Sequence, residues 1–212
     1  MKRKGVFICI EGLDASGKTT QAHILVNWLR RKGFKVKYTK EPSEGEIGQL
    51  IRRYILRRKN RVSSAIEALL FAADRLDHIK REVEPALKRG EIVVSDRYVY
   101  SSIAYQGGTG LDLGWIREIN RFAIEPDLSV YIDVPPRVAT SRLRRERSVM
   151  EKITIQRKVR EVYLKLVEEG LMVRVDGNRS KSAVTKEIRD LISDLLSRRF
   201  PKEKNENRPR DQ

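Results

Sequence analysis

The chain has 212 residues, of which 40% are hydrophobic and 35% are charged, and its net charge is +16 at pH 7. This length suits one well-buried domain and is short for two. Its one cysteine, Cys9, excludes an internal disulfide and a cysteine-ligated metal cluster, and its apolar neighbours fit a core position. The apolar run after the basic N-terminus is too short for a signal peptide or a membrane span, so we expect a cytoplasmic protein with no membrane partner.

The first predicted element is a buried strand over Val6–Ile10, which leads into the run GLDASGKT at 12–19. That run matches the phosphate-binding pattern G-x-x-x-x-G-K-[ST] at the junction of a strand and a helix. The helix is indicated by apolar residues at helical spacing: Ala22, Leu25, Val26 and Leu29. These flanks favour a nucleotide-binding loop over a plain glycine turn.

The residue types in this loop suit the binding of a polyphosphate. Gly12 and Gly17 permit the backbone dihedrals that aim N–H groups at phosphate oxygens. The helix from Lys18 adds its positive N-terminal end, and the lysine is expected to reach the outer phosphates. The Thr19 hydroxyl is positioned to ligate a magnesium ion that the phosphates also bind. The predicted ATP site comprises the whole loop: Gly12, Leu13, Asp14, Ala15, Ser16, Gly17, Lys18 and Thr19.

Four further strand-like runs are each separated from the next by a helical pattern: Lys35–Tyr38, Ile92–Ser95, Leu128–Val134 and Met172–Val175. This alternation predicts an α/β protein with a parallel sheet covered by helices on both faces. With the phosphate-binding motif, it predicts a three-layer P-loop NTPase fold with a five-stranded parallel sheet. The longest predicted helix starts at Ser63 or Ser64 and ends before Gly90, with a kink at Pro85 in its last turn.

The excess of positive charge is concentrated in three segments. Residues 52–61 contain six basic and no acidic residues, and residues 137–160 contain nine basic and two acidic residues. As a helix, the stretch 52–61 is interpreted as a charged outer face rather than a binding site. Residues 198–212, also basic, lack periodic apolar positions and are interpreted as a flexible tail beyond a domain at 1–197.

An acidic and a basic residue, Asp96 and Arg97, come directly after the strand Ile92–Ser95. A carboxylate at the carboxyl end of a parallel strand beside the phosphate loop is where a magnesium ion needs a ligand, and Asp96 is the candidate. Arg97 offers a rigid fork to phosphate oxygens. The alternative is a structural salt bridge that caps the next helix.

At this point the chain resembles the thymidylate kinases, a family of P-loop nucleoside monophosphate kinases. The resemblance covers nearly the whole chain, because several ordered motifs carry it in addition to the phosphate loop. They are Glu11-Gly12-Leu13-Asp14, Thr39-Lys40-Glu41-Pro42, Leu70-Phe71-Ala72-Ala73-Asp74-Arg75, Asp96-Arg97-Tyr98 and Ala104-Tyr105-Gln106-Gly107-Gly108.

Phe71 and Arg75 share a helix face because they lie one turn apart. The phenyl ring can stack on a pyrimidine while the guanidinium donates to a base carbonyl, and the family uses the corresponding residues in this way. Core packing is the alternative for Phe71 alone. Arg75 on the same face favours the binding role, since an arginine is seldom buried without an acceptor.

The resemblance implies further roles at the acceptor site. Asp14 accepts from the 3′-hydroxyl, Arg97 binds the acceptor phosphate, and Tyr105 disfavours a 2′-hydroxyl. Ser102 and Gln106 line the base and sugar, and the turn at Glu41-Pro42 approaches the acceptor, with a proline that is compatible with a cis bond. Lys40 departs from the arginine of many relatives, which weakens the case for a bidentate phosphate clamp there.

A mobile arginine lid over residues 136–152 is expected to neutralise charge on the transferred phosphoryl group. Positions 13–16 contain no arginine, so the resemblance assigns this task to lid residues, with Arg144 and Arg145 as catalytic candidates beside Lys18, Asp14 and Arg97. It also implies adenine-side contacts from Arg142 and Asn178, and a weaker one from Arg179.

The implied reaction is phosphoryl transfer from ATP to dTMP with Mg²⁺, giving dTDP and ADP, in a protein that is expected to be a homodimer. One alternative is a kinase for another pyrimidine nucleotide, such as dUMP. A more distant alternative is a nucleic-acid-dependent P-loop ATPase, which the positive charge alone would suit. The three basic segments contain only two aromatic residues, Tyr54 and Phe200, which disfavours this alternative, so no obligatory nucleic-acid partner is expected.

Overall fold

A five-stranded, all-parallel sheet forms the centre of the molecule, in the order β2-β3-β1-β4-β5. The computed structural model describes residues 4–56, 62–143 and 153–201, apart from the side chains of Tyr54 and Leu56. The strands are β1 (Val6–Gly12), β2 (Val36–Lys40), β3 (Ile92–Asp96), β4 (Leu128–Asp133) and β5 (Val173–Asp176). The predicted α/β fold is confirmed, and each predicted strand end lies within two residues of an observed one.

Nine α-helices are assigned in the described ranges. They are α1 (Lys18–Arg31), α2 (Glu46–Ile51), α3 (Ser64–His78), α4 (Glu84–Lys88), α5 (Val99–Gly108), α6 (Leu113–Ile119), α7 (Pro136–Ser141), α8 (Ile153–Glu168) and α9 (Lys181–Arg199). In those ranges, no helix is long and apolar enough to cross a membrane.

Helices cover both faces of the sheet, which explains why its inner strands are uniformly apolar. Every residue of β1 and β3 is buried. Val6 and Ile8 belong to a large apolar cluster with residues of α1, α5, α8 and α9. Phe7 and Cys9 belong to a second cluster with residues of segment 79–87. The expectation that Cys9 is a core residue is confirmed, since its side chain is fully buried.

The strand order creates a crevice at the carboxyl ends of β1 and β3. The chain leaves β1 for β2 on one side of the sheet order, and it leaves β3 for β4 on the other side. Ligands of parallel sheets bind at such a reversal of direction. Because Ile10 of β1 lies beside Asp96 of β3, the loops after these two strands start close together.

The long helix predicted after Ser63 is interrupted earlier than expected. Helix α3 ends at His78, a π-helical turn occupies Ile79–Val83, and α4 follows with Pro85 in its first turn. Proline lacks an N–H and clashes with the carbonyl one turn earlier. The wider π turn accommodates this defect upstream of the proline, so the distortion precedes Pro85 instead of falling in the last turn.

The first residues of the basic stretch 52–61 are helical and contribute to the interior as well as to the surface. They form a π-helical turn, Arg52–Leu56, directly after α2. Ile55 is buried, and Arg52 donates to the Pro42 carbonyl at 2.6 Å. Arg53 is exposed as expected. Residues 57–61 lie outside the described residues, as do lid residues 144–152 and tail residues 202–212, while α9 extends to Arg199.

Candidate active site

The phosphate loop joins β1 to α1 and adopts a strained backbone. Gly12 has φ 155° and Gly17 has φ 93°, and both values lie in the region that favours glycine. Ala15 also has a positive φ, of 60°, although it carries a Cβ. A non-glycine residue in this conformation costs about 1–2 kcal/mol, and such strain is typical of functional loops. Helix α1 begins at Lys18, so its N-terminus faces the loop.

Lys18 is a buried cation with few protein partners. Its Nζ donates to the Leu13 carbonyl at 3.1 Å and lies 3.8 Å from Asp14 Oδ1. Burial, and next the positive charge of Arg97, lower the pKa of Lys18 to about 8. A group in this state favours an anionic ligand, because nearby phosphate charge would stabilise the ammonium form.

Thr19 and Asp96 lie side by side at the start of α1 and the end of β3. The Thr19 hydroxyl donates to Asp96 Oδ2. The other oxygen, Asp96 Oδ1, is buried and has no hydrogen-bond partner in the described part of the chain. Residues 4–56, 62–143 and 153–201 contain no cluster of three or more His, Cys, Asp or Glu side chains suited to a metal ion. A magnesium ion that arrives with a nucleotide needs only one or two protein oxygens, so this pair fits it.

Arg97 connects the loop after β3 to the phosphate loop. It has φ 73°, which is rare for a side-chain-bearing residue. Its Nη2 donates to Asp14 Oδ1 at 2.6 Å and to the Tyr105 hydroxyl at 3.1 Å, and its Nη1 donates to Ser101 Oγ at 3.0 Å. Arg97 does form a salt bridge, with Asp14 of the phosphate loop, whereas the N-cap of α5 is Tyr98, whose side chain makes no capping hydrogen bond.

Asp14 is ionised in the centre of this arrangement. Burial alone would raise the pKa of Asp14, but the charges of Arg97 and Lys18 lower it below its usual range. Its Oδ2 accepts from the Tyr105 hydroxyl at 3.0 Å. A carboxylate held between two cations at the crevice can accept a hydrogen bond from a ligand hydroxyl.

Glu11 is a buried carboxyl that we did not single out from the sequence. It accepts from the Tyr98 and Ser101 backbone N–H groups at 2.8 and 3.3 Å, and from the Ser101 and Tyr163 hydroxyls at 2.5 and 3.1 Å. Burial raises the pKa of Glu11 to about 7, although these hydrogen bonds and the charge of Arg97 act in the opposite direction. Because Ser101 also accepts from Arg97, Glu11 helps to fix the loop that presents this arginine.

Arg75 is buried and nearly saturated by protein acceptors. Its Nη2 donates to Glu41 Oε2 at 2.6 Å, to Ser102 Oγ at 3.0 Å and to the Tyr98 carbonyl at 3.2 Å. Its Nη1 donates to Asn120 Oδ1. Its Nε is buried and has no hydrogen-bond partner among the described residues. An open donor on an otherwise fixed guanidinium is suited to a carbonyl acceptor of a ligand.

Asn120 was missed from the sequence. It is the C-cap residue of α6, and its amide nitrogen donates to the Ile116 carbonyl at 2.8 Å. Asparagine is common at helix ends, so this position gave no functional signal. The partner Arg75 lies far away in the chain, and no local pattern links the two.

The turn after β2 is held by side chains from two other segments. The Glu41–Pro42 peptide bond is cis, which the sequence left open. Asp74 accepts from the Ser43 backbone N–H at 2.7 Å and from its hydroxyl at 2.6 Å. Arg52 binds the Pro42 carbonyl, as described above. These contacts fix the turn that carries Glu41 into the site.

Lys40 lies at the edge of the site. Its Nζ lies 2.9 Å from Glu44, and its side chain is 48% exposed.

The remaining acceptor-side candidates lie on α3 and α5. Phe71 is half-buried one turn before Arg75. Ser102 and Gln106 are buried one turn apart on α5, and Gln106 Oε1 has no hydrogen-bond partner in the described ranges. The structure therefore brings α3, α5, the cis-proline turn and the phosphate loop to one edge of the sheet.

The adenine-side candidates are less well defined. Arg142 is exposed after α7, and Asn178 is exposed after β5, where its N–H donates to Asp176 Oδ1 at 2.9 Å. Arg179 is paired with Glu187. The lid candidates Arg144 and Arg145 lie outside the described residues.

Asp133 is a second buried acid that the sequence did not reveal. It accepts from Arg160 of α8 through two bonds of 2.8 and 2.9 Å, and from Arg174 of β5 at 2.8 Å. Burial would raise the pKa of Asp133, but these bonds and the charge of Arg160 lower it. Part of the basic segment 137–160 thus neutralises a carboxylate at the end of β4.

Comparison with known proteins identifies the family of this chain. The family model described as "Thymidylate kinase" matches residues 10–188. A protein named "Probable thymidylate kinase" from Pyrococcus horikoshii is 43% identical over 201 residues, which cover 92% of this chain and 95% of that protein. A protein of the same name from Thermococcus onnurineus is 46% identical, with 80% of this chain and 88% of that protein covered. A third, from Pyrobaculum aerophilum, is 42% identical, with 90% and 97% covered. The chain belongs to the thymidylate kinase family.

Proposed function

We propose that this chain transfers the γ-phosphoryl group of ATP to the 5′-phosphate of dTMP, giving dTDP and ADP. One observation supports the proposal: Arg97 donates to Asp14 at 2.6 Å and to the Tyr105 hydroxyl at 3.1 Å, and so joins the phosphate loop to α5. Helix α5 in turn contacts Arg75 of α3 through Ser102. A donor site and an acceptor site thus meet at one crevice. Direct transfer between two bound nucleotides requires this proximity.

On the donor side, backbone N–H groups of 12–19 and the N-terminus of α1 bind the β- and γ-phosphates. Lys18 contributes a charge that the phosphates keep in its ammonium form. Thr19 and Asp96 would hold a magnesium ion, directly or through water. When bound with ATP, such an ion supplies positive charge to the phosphate oxygens.

On the acceptor side, Arg97 binds the 5′-phosphate of dTMP and Asp14 accepts from the 3′-hydroxyl. Tyr105 packs against the sugar where a ribonucleotide would carry a 2′-hydroxyl. Phe71 stacks on the thymine ring. The open donor of Arg75 is directed to a base carbonyl, and Ser102, Gln106 and the turn at Glu41-Pro42 complete the pocket.

The reaction requires no covalent intermediate. An oxygen of the dTMP phosphate is already anionic at neutral pH, so it attacks the γ-phosphorus without a general base. The bond from that phosphorus to the β–γ bridging oxygen breaks, and ADP leaves. Lys18 and Arg97 stabilise the charge that develops on the transferred group. We propose that Arg144 and Arg145 add to this charge when the lid over 136–152 closes, and that Arg142 and Asn178 contact the adenine side.

A homodimer is also proposed. Helix α3 exposes Ile66 and Leu69, at 48% and 50%, and Val62 and Leu50 are exposed at 38% and 42%. Exposed apolar side chains on neighbouring elements favour contact with another chain, and size-exclusion chromatography with light scattering would detect the dimer. A cytoplasmic location stays a prediction.

The proposed reaction is tested by ADP formation from ATP and Mg²⁺ with dTMP, dUMP, ribo-TMP, dCMP and AMP offered separately. Preference for dTMP supports the proposal, and preference for dUMP supports the related pyrimidine kinase instead. A folded, ATP-binding protein that is inactive with all five would contradict both. ATP hydrolysis that depends on added DNA would then favour the nucleic-acid-dependent ATPase.

A further inference from the structure

His78 is fully buried at the end of α3, between Thr39 of β2 and Glu41 of the cis-proline turn. Its Nδ1 lies 3.2 Å from Glu41 Oε1, and its Nε2 lies 2.5 Å from Thr39 Oγ1. None of the roles assigned above uses this imidazole. It connects β2, α3 and the cis-proline turn through hydrogen bonds alone.

The direction of the bond to Glu41 follows from the chemistry of the partners. A carboxylate only accepts, so Nδ1 carries the proton and donates to Glu41. The other ring nitrogen, Nε2, faces the Thr39 hydroxyl, whose oxygen also lies 3.4 Å from Glu82 Oε2. His78 therefore occupies one oxygen of Glu41 and leaves the other, Oε2, to accept from Arg75 at 2.6 Å.

This geometry fixes the orientation of the Glu41 carboxylate. The Glu41 side chain has only two strong side-chain partners among the contacts described, one on each oxygen: His78 and Arg75. Without the imidazole, rotation of the carboxylate would be opposed by the Arg75 bond alone. The guanidinium would in turn lose a fixed anchor for Nη2, and its open Nε donor would lose a defined direction.

We infer that His78 is a positioning residue for recognition of the acceptor base, because it fixes Glu41 and, through Glu41, Arg75. The inference rests on the proposed function, since it assigns to Arg75 the base contact described above. His78 itself touches neither substrate. Its effect is expected on binding of the acceptor rather than on the phosphoryl-transfer step.

The test compares two substitutions, each of which replaces only one of the two ring nitrogens of His78 with an amide. In His78→Asn, the amide lies near the former Nδ1 and can still donate to Glu41. In His78→Gln, the longer amide reaches toward Thr39 and leaves Glu41 without this donor. Glutamine fills more of the vacated space than asparagine, so a role in packing alone predicts that glutamine is tolerated better. The positioning role predicts the reverse.

KM and kcat for dTMP are measured for both variants, for the wild type and for Thr39→Val, which removes the other partner of the imidazole. For His78→Gln we expect KM for dTMP to rise about tenfold with kcat within about threefold of wild type. For His78→Asn and Thr39→Val, both constants are expected to stay within about threefold. In a Glu41→Gln background, His78→Gln should have little further effect on KM, because the two residues act in one chain of contacts.

Three results would overturn the inference: equal KM values for the two His78 variants, a larger KM rise for asparagine than for glutamine, or full additivity with Glu41→Gln. If His78→Gln does not fold, His78→Asn decides, because a rise of KM of tenfold or more in that folded variant contradicts the role of Nδ1. Failure of the proposed function is distinct, since the wild type itself would then form no ADP with dTMP.

Discussion

The donor and acceptor halves of the site are built in different ways. The donor half is a continuous loop at 12–19, whose Lys18 side chain is buried with one hydrogen bond to a backbone carbonyl. The acceptor half is assembled from β2, α3, α5 and α6, and four protein acceptors surround Arg75. In the donor half, the Lys18 ammonium therefore retains N–H groups that can bind phosphate. In the acceptor half, protein contacts already fix the Arg75 guanidinium without a ligand.

This difference implies that the two halves respond differently to substitution. A residue of the donor half contributes mainly to the transition state, because its strongest partner is the substrate. A residue of the acceptor half contributes to folding and to binding together, because its partners are buried protein groups. Substitutions in the donor half should therefore lower activity with little loss of stability, whereas substitutions in the acceptor half should lower both.

The largest expected effect is that of Lys18→Ala on turnover. Loss of the phosphate-binding charge should lower kcat at least about 100-fold. The free energy of unfolding should change by less than about 1 kcal/mol, because the loss of one hydrogen bond is offset by the removal of one buried charge. Steady-state ADP formation measures the effect on kcat, and urea unfolding measures the effect on stability.

The matched control is Lys88→Ala, which removes an exposed lysine paired with Glu84. It should leave kcat and stability unchanged, since exposed pairs contribute little. Near-normal turnover in Lys18→Ala would contradict the role of the phosphate loop.

Arg75→Lys should affect both stability and binding. A lysine is a point charge and cannot serve Glu41, Ser102 and Asn120 at once. We expect the free energy of unfolding to fall by about 2 kcal/mol or more, and KM for dTMP to rise at least tenfold. Urea unfolding and acceptor kinetics measure the two effects.

The control is Arg121→Lys, at an exposed pair with Glu118, which should change neither stability nor KM. An Arg75→Lys variant with normal stability and an altered KM would contradict the claim that the acceptor half contributes to folding and binding together.

Glu11→Gln should change how stability depends on pH. Burial raises the pKa of Glu11 from 4.5 to about 7, so the folded protein binds a proton that the unfolded chain releases between these values. The stability from this group is therefore present below pH 4.5 and is lost as the pH rises through 7. The free energy of unfolding of the wild type, minus that of the variant, should fall over this range in denaturant titrations at pH 5 and 7.5. A constant difference would show that Glu11 titrates normally.

The smallest expected effect is that of Ala15→Gly in the phosphate loop. Glycine adopts a φ of 60° without the steric cost that alanine meets there. The variant should be more stable by about 0.5–1 kcal/mol in thermal unfolding, with kcat within about twofold. Ala73→Gly, at an exposed position within α3, is the control and should lose about 1 kcal/mol. A loss of stability in Ala15→Gly would contradict the strain inferred for this loop.

The contrast between the two halves also explains how much the sequence could predict. The five strands and the loop at 12–19 were predictable because their signals are local: a run of buried apolar residues, and glycines at fixed spacing. Phe71 and Arg75 were predictable because helical periodicity places them on one face. Each of these signals lies within a few residues of chain.

The residues that were missed depend on contacts across the chain. Glu11 lies in β1, after the apolar residues of that strand, but its partners Ser101 and Tyr163 come from α5 and α8. Asn120 reads as an ordinary helix cap, and His78 as an ordinary helix residue. Their roles arise when the sheet order brings distant segments to one edge, which no local pattern encodes.

The most direct test of the preassembled acceptor half is calorimetric titration of dTMP and dCMP into the ATP-free protein. The account predicts that dTMP binds at least about tenfold more tightly than dCMP, because a fixed donor on Arg75 meets a carbonyl in thymine and an amino group in cytosine. It also predicts that Lys18→Ala changes the affinity for dTMP by less than about threefold. Equal binding of the two nucleotides, or binding of dTMP only after ATP is added, would contradict it.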